Sequence, residues 1–202
     1  PMIKAVLFDF GGVLSEAGKH GSIRAWLGRV YGLDLDVSKI DEVFFKMWRG
    51  QVSDDEFLAE INRRFPDAPV ATRADFLKAM QTFERSEPVY ALAAELRGQG
   101  IATGILSNVF GIGVDALRAG GFYDGFDPLI LSCEVDYAKP DPEIYQMAID
   151  RLGVKPEEII FVDDQQYVLG PAAALGMHTV LATSPQQIVD DVHAIIAAKS
   201  GE

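Results

Sequence analysis

The stretch AVLFDFGGVL, residues 5–14, sets how the rest of the chain is read. Ala5-Val6-Leu7-Phe8 is an unbroken apolar run of strand length, and it stops abruptly at a carboxylate, Asp9, followed after one residue by a Gly-Gly turn. Such a run reads as a buried strand. The aspartate then stands at the strand's carboxyl end, where ligands of parallel sheets collect.

Working outward, four further short apolar runs have strand length: Ile101 to Leu106, Leu129 to Leu131, Ile159 to Val162 and Thr179 to Leu181. Helical patterns lie between them. Val89, Leu92 and Leu96 share one face behind Pro88, and Ile144, Ala148 and Leu152 share another. The second helix has Asp141 as expected N-cap, Pro142 at its first position and Gly153 past its end. Strand and helix alternating in this way predict an α/β, Rossmann-like parallel sheet with helices on both faces and right-handed crossovers.

Residues 15–85 break the alternation with four helical stripes and no convincing strand. Ile23, Trp26, Leu27 and Val30 form the first, and Ile40, Val43, Phe44 and Met47 the second. Phe57, Leu58 and Ile61 follow the capping box Ser53-Asp54-Asp55-Glu56, and Phe76, Leu77 and Met80 follow Thr72 and Asp75. The expected organisation is a core made of residues 1–14 and 86–202, with a helical cap of residues 15–85 inserted after the first strand. Trp26 and Trp48 fall within the stripes and read as core residues.

The 202 residues suffice for a sizeable core. A formal net charge of −12 argues against nucleic acid or an anionic membrane as partner. The single cysteine, Cys133, excludes an internal disulfide and a multi-cysteine zinc site, and it reads as a small buried thiol. The opening PMIKAV has neither the basic segment nor the apolar stretch of a secretory signal, so a cytoplasmic protein, monomer or homodimer, is expected.

Polar residues recur where the apolar runs end. The first gives Asp9, the second Ser107-Asn108 and the fourth Asp163-Asp164, while Lys139 precedes the helix beginning at Asp141. Each alone has an ordinary explanation as a cap, a loop residue or a solvated charge. On one edge of one sheet they make a cluster. Three carboxylates close together repel unless a cation is present, and hard oxygen donors suit Mg²⁺. Asp9 is then placed to attack phosphorus as a carboxylate nucleophile. Mg²⁺ and Lys139 would offset charge, and the Ser107 hydroxyl would bind phosphoryl oxygens.

On these residues the chain resembles the haloacid dehalogenase superfamily, in particular its phosphatase-like members with a helical cap. The resemblance rests on VLFDFGGVL, ILSN, KPDPEIY and IIFVDD, in that order. It implies that Asp9 is nucleophile and metal ligand, that Ser107 and Asn108 hold the phosphoryl group of a small phosphorylated metabolite, and that Lys139 steadies Asp9. It also implies Asp164 as a Mg²⁺ ligand, with Asp163 ligating directly or orienting, and the carbonyl of Gly11 as a further ligand.

Two departures from the family pattern stand out. Phosphatases of this kind carry a second aspartate where this chain has Gly11, and that aspartate serves as general acid and base. Either Ser15, Glu16 or His20 supplies the proton, or the substrate has a leaving group that needs little protonation, such as a sugar 1-phosphate. Relatives also often place Asn where Val168 stands, within QQYVLGPAAALG, in which Pro171 is tolerable if it lies in a helix's first turn. Tyr167 reads as packing, and His178 and His193 take no role. Arg49, in the turn WRGQVSDDEF, is a candidate for a substrate anion, against a plain reading as a charge at a helix C-terminus. The rival functions are a 2-haloacid dehalogenase and a non-catalytic phosphate- or Mg²⁺-binding regulator.

Overall fold

The computed structural model describes residues 1–15, 41–67, 69–80 and 83–201, apart from the side chains of residues 41–44, 79 and 80. The stripe of Ile23, Trp26, Leu27 and Val30 lies outside the described residues, as do Glu16, His20 and Ile40. Five parallel strands form one sheet in the order β3-β2-β1-β4-β5: β1 (Ala5–Phe8), β2 (Ala102–Ser107), β3 (Leu129–Leu131), β4 (Ile159–Asp163) and β5 (His178–Leu181). All five runs read from the sequence are strands.

Side chains alternate across this sheet as its period of two requires. Val6, Phe8, Ile105, Val162 and Val180 face one way, toward α4 (Glu87–Gly98), α5 (Gly111–Ala119) and α8 (Pro185–Ser200). Ala5, Leu7, Leu106, Ile130 and Phe161 face the other, toward α6 (Pro142–Leu152) and α7 (Gln166–Ala174). Every side chain of β1 is buried, which is why its sequence is apolar at each position. Fully burying a Phe or Leu side chain contributes about 1.5–3 kcal/mol, so the central strand anchors both layers.

Between β1 and α4 come three described helices, α1 (Asp41–Trp48), α2 (Asp54–Arg64) and α3 (Arg73–Met80). The capping box at Ser53 and Glu56 is formed, and Thr72 and Asp75 bond reciprocally at the start of α3. A separate apolar cluster gathers Met47, Phe57, Ile61 and Phe76 with Phe110 and Ile112, so helices α1 to α3 pack on the start of α5. Trp48 lies against this cluster and stacks on Phe110, with ring centroids 6.0 Å apart. No described helix is long and apolar enough to cross a membrane.

Asp141 is the N-cap of α6, as the sequence leads one to expect, although its side chain makes no capping bond there because it is engaged elsewhere. Pro171 lies inside α7, past the first turn in which a proline is readily tolerated.

Candidate active site

β1 ends at Phe8 opposite Val162 of β4, and the Asp9 amide extends the ladder by donating to the Val162 carbonyl at 2.9 Å. Asp9 and Asp163 therefore leave the sheet side by side. Ser107 ends β2, the neighbour of β1 on its other side. The carboxyl edge thus collects Asp9, Ser107, Asp163 and Asp164 from three adjacent strands.

Lys139 completes the set from the loop before α6. Its Nζ lies 3.0 Å from Asp9 Oδ1 and 2.5 Å from Asp163 Oδ2, and its side chain is 3% exposed. Burial alone would lower an ammonium's pKa, yet that of Lys139 is raised, because the two carboxylates outweigh desolvation. Burial pushes the Asp163 carboxyl up, with repulsion from Asp9 adding to it. Asp164 is raised for the same two reasons.

Carboxylate oxygens of Asp9, Asp163 and Asp164 all lie within 4.8 Å of one another. One ammonium cannot neutralise three such groups, so the edge keeps a charge deficit that a divalent cation with oxygen ligands would fill. Both Asp163 oxygens already accept bonds, Oδ2 from Lys139 and Oδ1 from the Gln165 amide at 2.8 Å.

The loop after Asp9 turns tightly. Gly12 N–H donates to the Ser15 carbonyl and Ser15 N–H to that of Phe10. Ser15 is buried, and among the described residues its hydroxyl has no hydrogen-bond partner. At Gly11 an added Cβ would meet none of the described residues within 4 Å.

Two sequence candidates have engagements that the residue pattern did not disclose. The Asn108 side chain clasps the main chain of Lys139, donating from Nδ2 to its carbonyl at 2.8 Å and accepting its N–H at 2.7 Å. Arg49 forks onto Asp141, with Nε 2.8 Å from Oδ2 and Nη2 2.7 Å from Oδ1. Tyr167 is 54% exposed and Val168 is buried. His178 lies on β5, and His193 lies 3.2 Å from Glu95 on the surface. Burial raises the Cys133 thiol to about 11, which makes it a poor nucleophile.

With this geometry in view, the chain's relationships become clear. Residues 3–176 match the family of haloacid dehalogenase-like hydrolases, and the chain belongs to that family. It is 42% identical over 86 residues to (S)-2-haloacid dehalogenase 1 of Pseudomonas sp. strain CBS-3, covering 42% of this chain and 38% of that one. It is 27% identical over 208 residues to phosphatase MT3486 of Mycobacterium tuberculosis, covering 94% and 92%. The fold is also that of a family enzyme from Bacteroides thetaiotaomicron in complex with magnesium and inorganic phosphate, with a TM-score of 0.74, 23% identity, and 90% and 96% of the chains covered. The chain spans 19% to 38% of the length of three curated relatives that it matches.

Proposed function

We propose that this hydrolase is a Mg²⁺-dependent phosphatase that cleaves a small phosphorylated metabolite through an aspartyl-phosphate on Asp9. The observation that carries the reading is the cluster of three carboxylates around the buried Lys139. A dehalogenase displaces halide from carbon and has no use for a metal, so a set of hard oxygen donors favours phosphorus chemistry. The likeness to a phosphatase along nearly the full chain agrees with this.

Asp9 and Asp164, with the Gly11 carbonyl, would hold the ion, and the engaged oxygens of Asp163 suit it to orienting the site from behind. When bound, Mg²⁺ supplies positive charge against the repulsion between the Asp9 carboxylate and the substrate's phosphoryl group. Asp9 oxygen bonds to phosphorus as the bond to the leaving oxygen breaks, and water then attacks the acyl phosphate to return the carboxylate and inorganic phosphate. Ser107 offers its hydroxyl to a phosphoryl oxygen, and Lys139 holds Asp9 aimed. Helices α1 to α3 belong to a cap that closes over this edge, excludes water and reads the rest of the substrate.

Gly11 provides no general acid. The substrates favoured by such a site have leaving groups that depart with little protonation, and sugar 1-phosphates, acyl phosphates and aryl phosphates are the classes to try. Phosphate release is measured over a panel of sugar, nucleotide and acyl phosphates, with and without Mg²⁺, with Asp9→Asn as control. Mg²⁺-dependent release lost in Asp9→Asn supports the reading. Halide release from 2-chloropropionate in the presence of EDTA, with no phosphate release, overturns it in favour of the dehalogenase. Stoichiometric phosphorylation of Asp9 without turnover would make the protein a regulator instead.

A further inference from the structure

We infer that Arg49 and Asp141 form a latch through which seating of the helical insertion sets the position of Lys139. Both are then positioning residues for the reaction above, and the inference rests on that reading. Arg49 directly follows α1 in the insertion, and Asp141 follows Lys139 by two residues in the core. The pair is a bidentate fork, the geometry in which an arginine fixes direction as well as distance.

The carboxylate that receives the fork also shapes the loop. Asp141 Oδ2 accepts the Ala138 N–H at 3.1 Å, and the Asp141 N–H returns to the Ala138 carbonyl at 2.7 Å. Residues 138–141 thereby close into a turn that holds Lys139. From its other side the same residue is clasped through its main chain by Asn108, the neighbour of Ser107. Lys139 is thus gripped between the end of β2 and a turn whose carboxylate is held from the insertion.

Three contacts fix where Arg49 arrives. Gly50 has φ +65°, and a Cβ there would stand 2.5 Å from the Cys133 carbonyl oxygen, so the chain passes closer to the core than any side chain permits. Trp48 stacks on Phe110 at an interplanar angle of 22°. Asp54 sits at the start of α5, where a Cβ on Gly111 would stand 3.1 Å from its Oδ1. The Arg49 fork carries that placement on to the turn holding Lys139.

The fork also argues against Arg49 as a simple anion site, since an anion placed there would stand beside the Asp141 carboxylate. With side chains 25% and 22% exposed, the pair is still reached by water, and it parts when the insertion lifts. An open state then loosens Lys139, and a seated one restores it, so that the ammonium is aligned when the site is closed.

The test uses Arg49→Ala, Arg49→Lys, Asp141→Asn and the double variant Arg49→Ala/Asp141→Asn in the full chain. Steady-state kinetics on the best phosphate ester is read together with amide hydrogen exchange at Lys139 in metal-free protein. A misplaced catalytic group costs up to about 10²-fold, so each single variant is expected to lower kcat about 10- to 100-fold with KM little changed. The double variant falls no further, Arg49→Lys lies between, and exchange at the Lys139 amide quickens in Arg49→Ala. A raised KM in the Arg49 variants with Asp141→Asn unaffected would make Arg49 a substrate contact and overturn the latch. So would additive losses or unchanged exchange. If the wild-type protein releases no phosphate, the phosphatase reading fails on that result, and the exchange measurement alone decides the latch.

Discussion

The carboxylate of Asp164 lies directly against the backbone of Gly12: a Cβ on Gly12 would stand 2.8 Å from its Cγ and closer still to Oδ2. Gly12 also has φ +76°, a conformation that side chains resist. The aspartate proposed to ligate the metal therefore occupies space that only a residue without a Cβ leaves open. Gly12→Ala is expected to push Asp164 aside and weaken Mg²⁺ binding about 10- to 100-fold, the usual effect of disturbing groups that orient a metal ligand. Isothermal titration with Mg²⁺ checks this, and an unchanged affinity would show that Asp164 does not bind the ion.

Gly11 presents the opposite situation, because among the described residues nothing lies within 4 Å of the Cβ it lacks. Gly11→Asp should therefore fold as the parent does and provide the missing proton donor. A general acid contributes about 10²- to 10⁴-fold, so turnover of alkyl phosphates with poor leaving groups should rise at least about tenfold, while aryl phosphates change little. Comparing kcat/KM across esters of graded leaving-group pKa decides the matter. A uniform fall across the series would mean that another residue already does this work.

The sheet is legible in the sequence because its central strands are buried on both faces and so carry unbroken apolar runs, as Ala5–Phe8 and residues 159–162 do. The edge residues are legible for a related reason: Asp9, Ser107 and Asp163 interrupt those runs where the strands stop. The partners of Asn108 and Arg49 are not. Asn108 meets Lys139 across 31 residues and Arg49 meets Asp141 across 92, and periodicity within an element carries no information about such pairings. Pro171 lies inside α7, which already starts at Gln166, so the proline does not mark the helix start.

Asn108 tests whether the clasp or the phosphoryl group is its main task. Both polar ends of its amide are bonded to the main chain of Lys139. Asn108→Ala should lower kcat about 10- to 100-fold through a loosened Lys139 and leave KM and Mg²⁺ affinity close to wild type. A large rise in KM, or in the inhibition constant of inorganic phosphate, would assign Asn108 to the substrate instead.

Lys139 holds two buried carboxylates, one of them Asp163 with a fully buried side chain. Removing one partner from a buried ion pair costs about 3–5 kcal/mol because the remaining charge is left without compensation. Lys139→Met in metal-free protein should lose stability on this scale, and adding Asp163→Asn should recover part of it by removing one stranded charge. Urea unfolding with EDTA gives both values, and phosphate release should be absent from both variants. Equal stability of Lys139→Met and wild type would show that the ammonium is not compensating these carboxylates.

The Arg49 fork holds the Asp141 carboxyl below the usual carboxylate range, against a smaller opposing effect of burial, and the Ala138 N–H adds to the lowering. A carboxyl whose folded pKa is depressed binds fewer protons in the folded state, so its stabilisation is present above the unfolded pKa and fades as pH falls through the folded value. The pair is part-buried, with side chains 25% and 22% exposed, and water still screens it, so its contribution at neutral pH should be about 1 kcal/mol. Wild type should therefore exceed Arg49→Ala in stability at neutral pH, and the difference should shrink as pH falls below the ordinary carboxylate range. Urea unfolding at a series of pH values follows that difference, and carboxyl carbon NMR follows Asp141 itself, whose midpoint should rise in Arg49→Ala. An Asp141 midpoint that does not move on removing Arg49 would mean that the fork is not populated in solution.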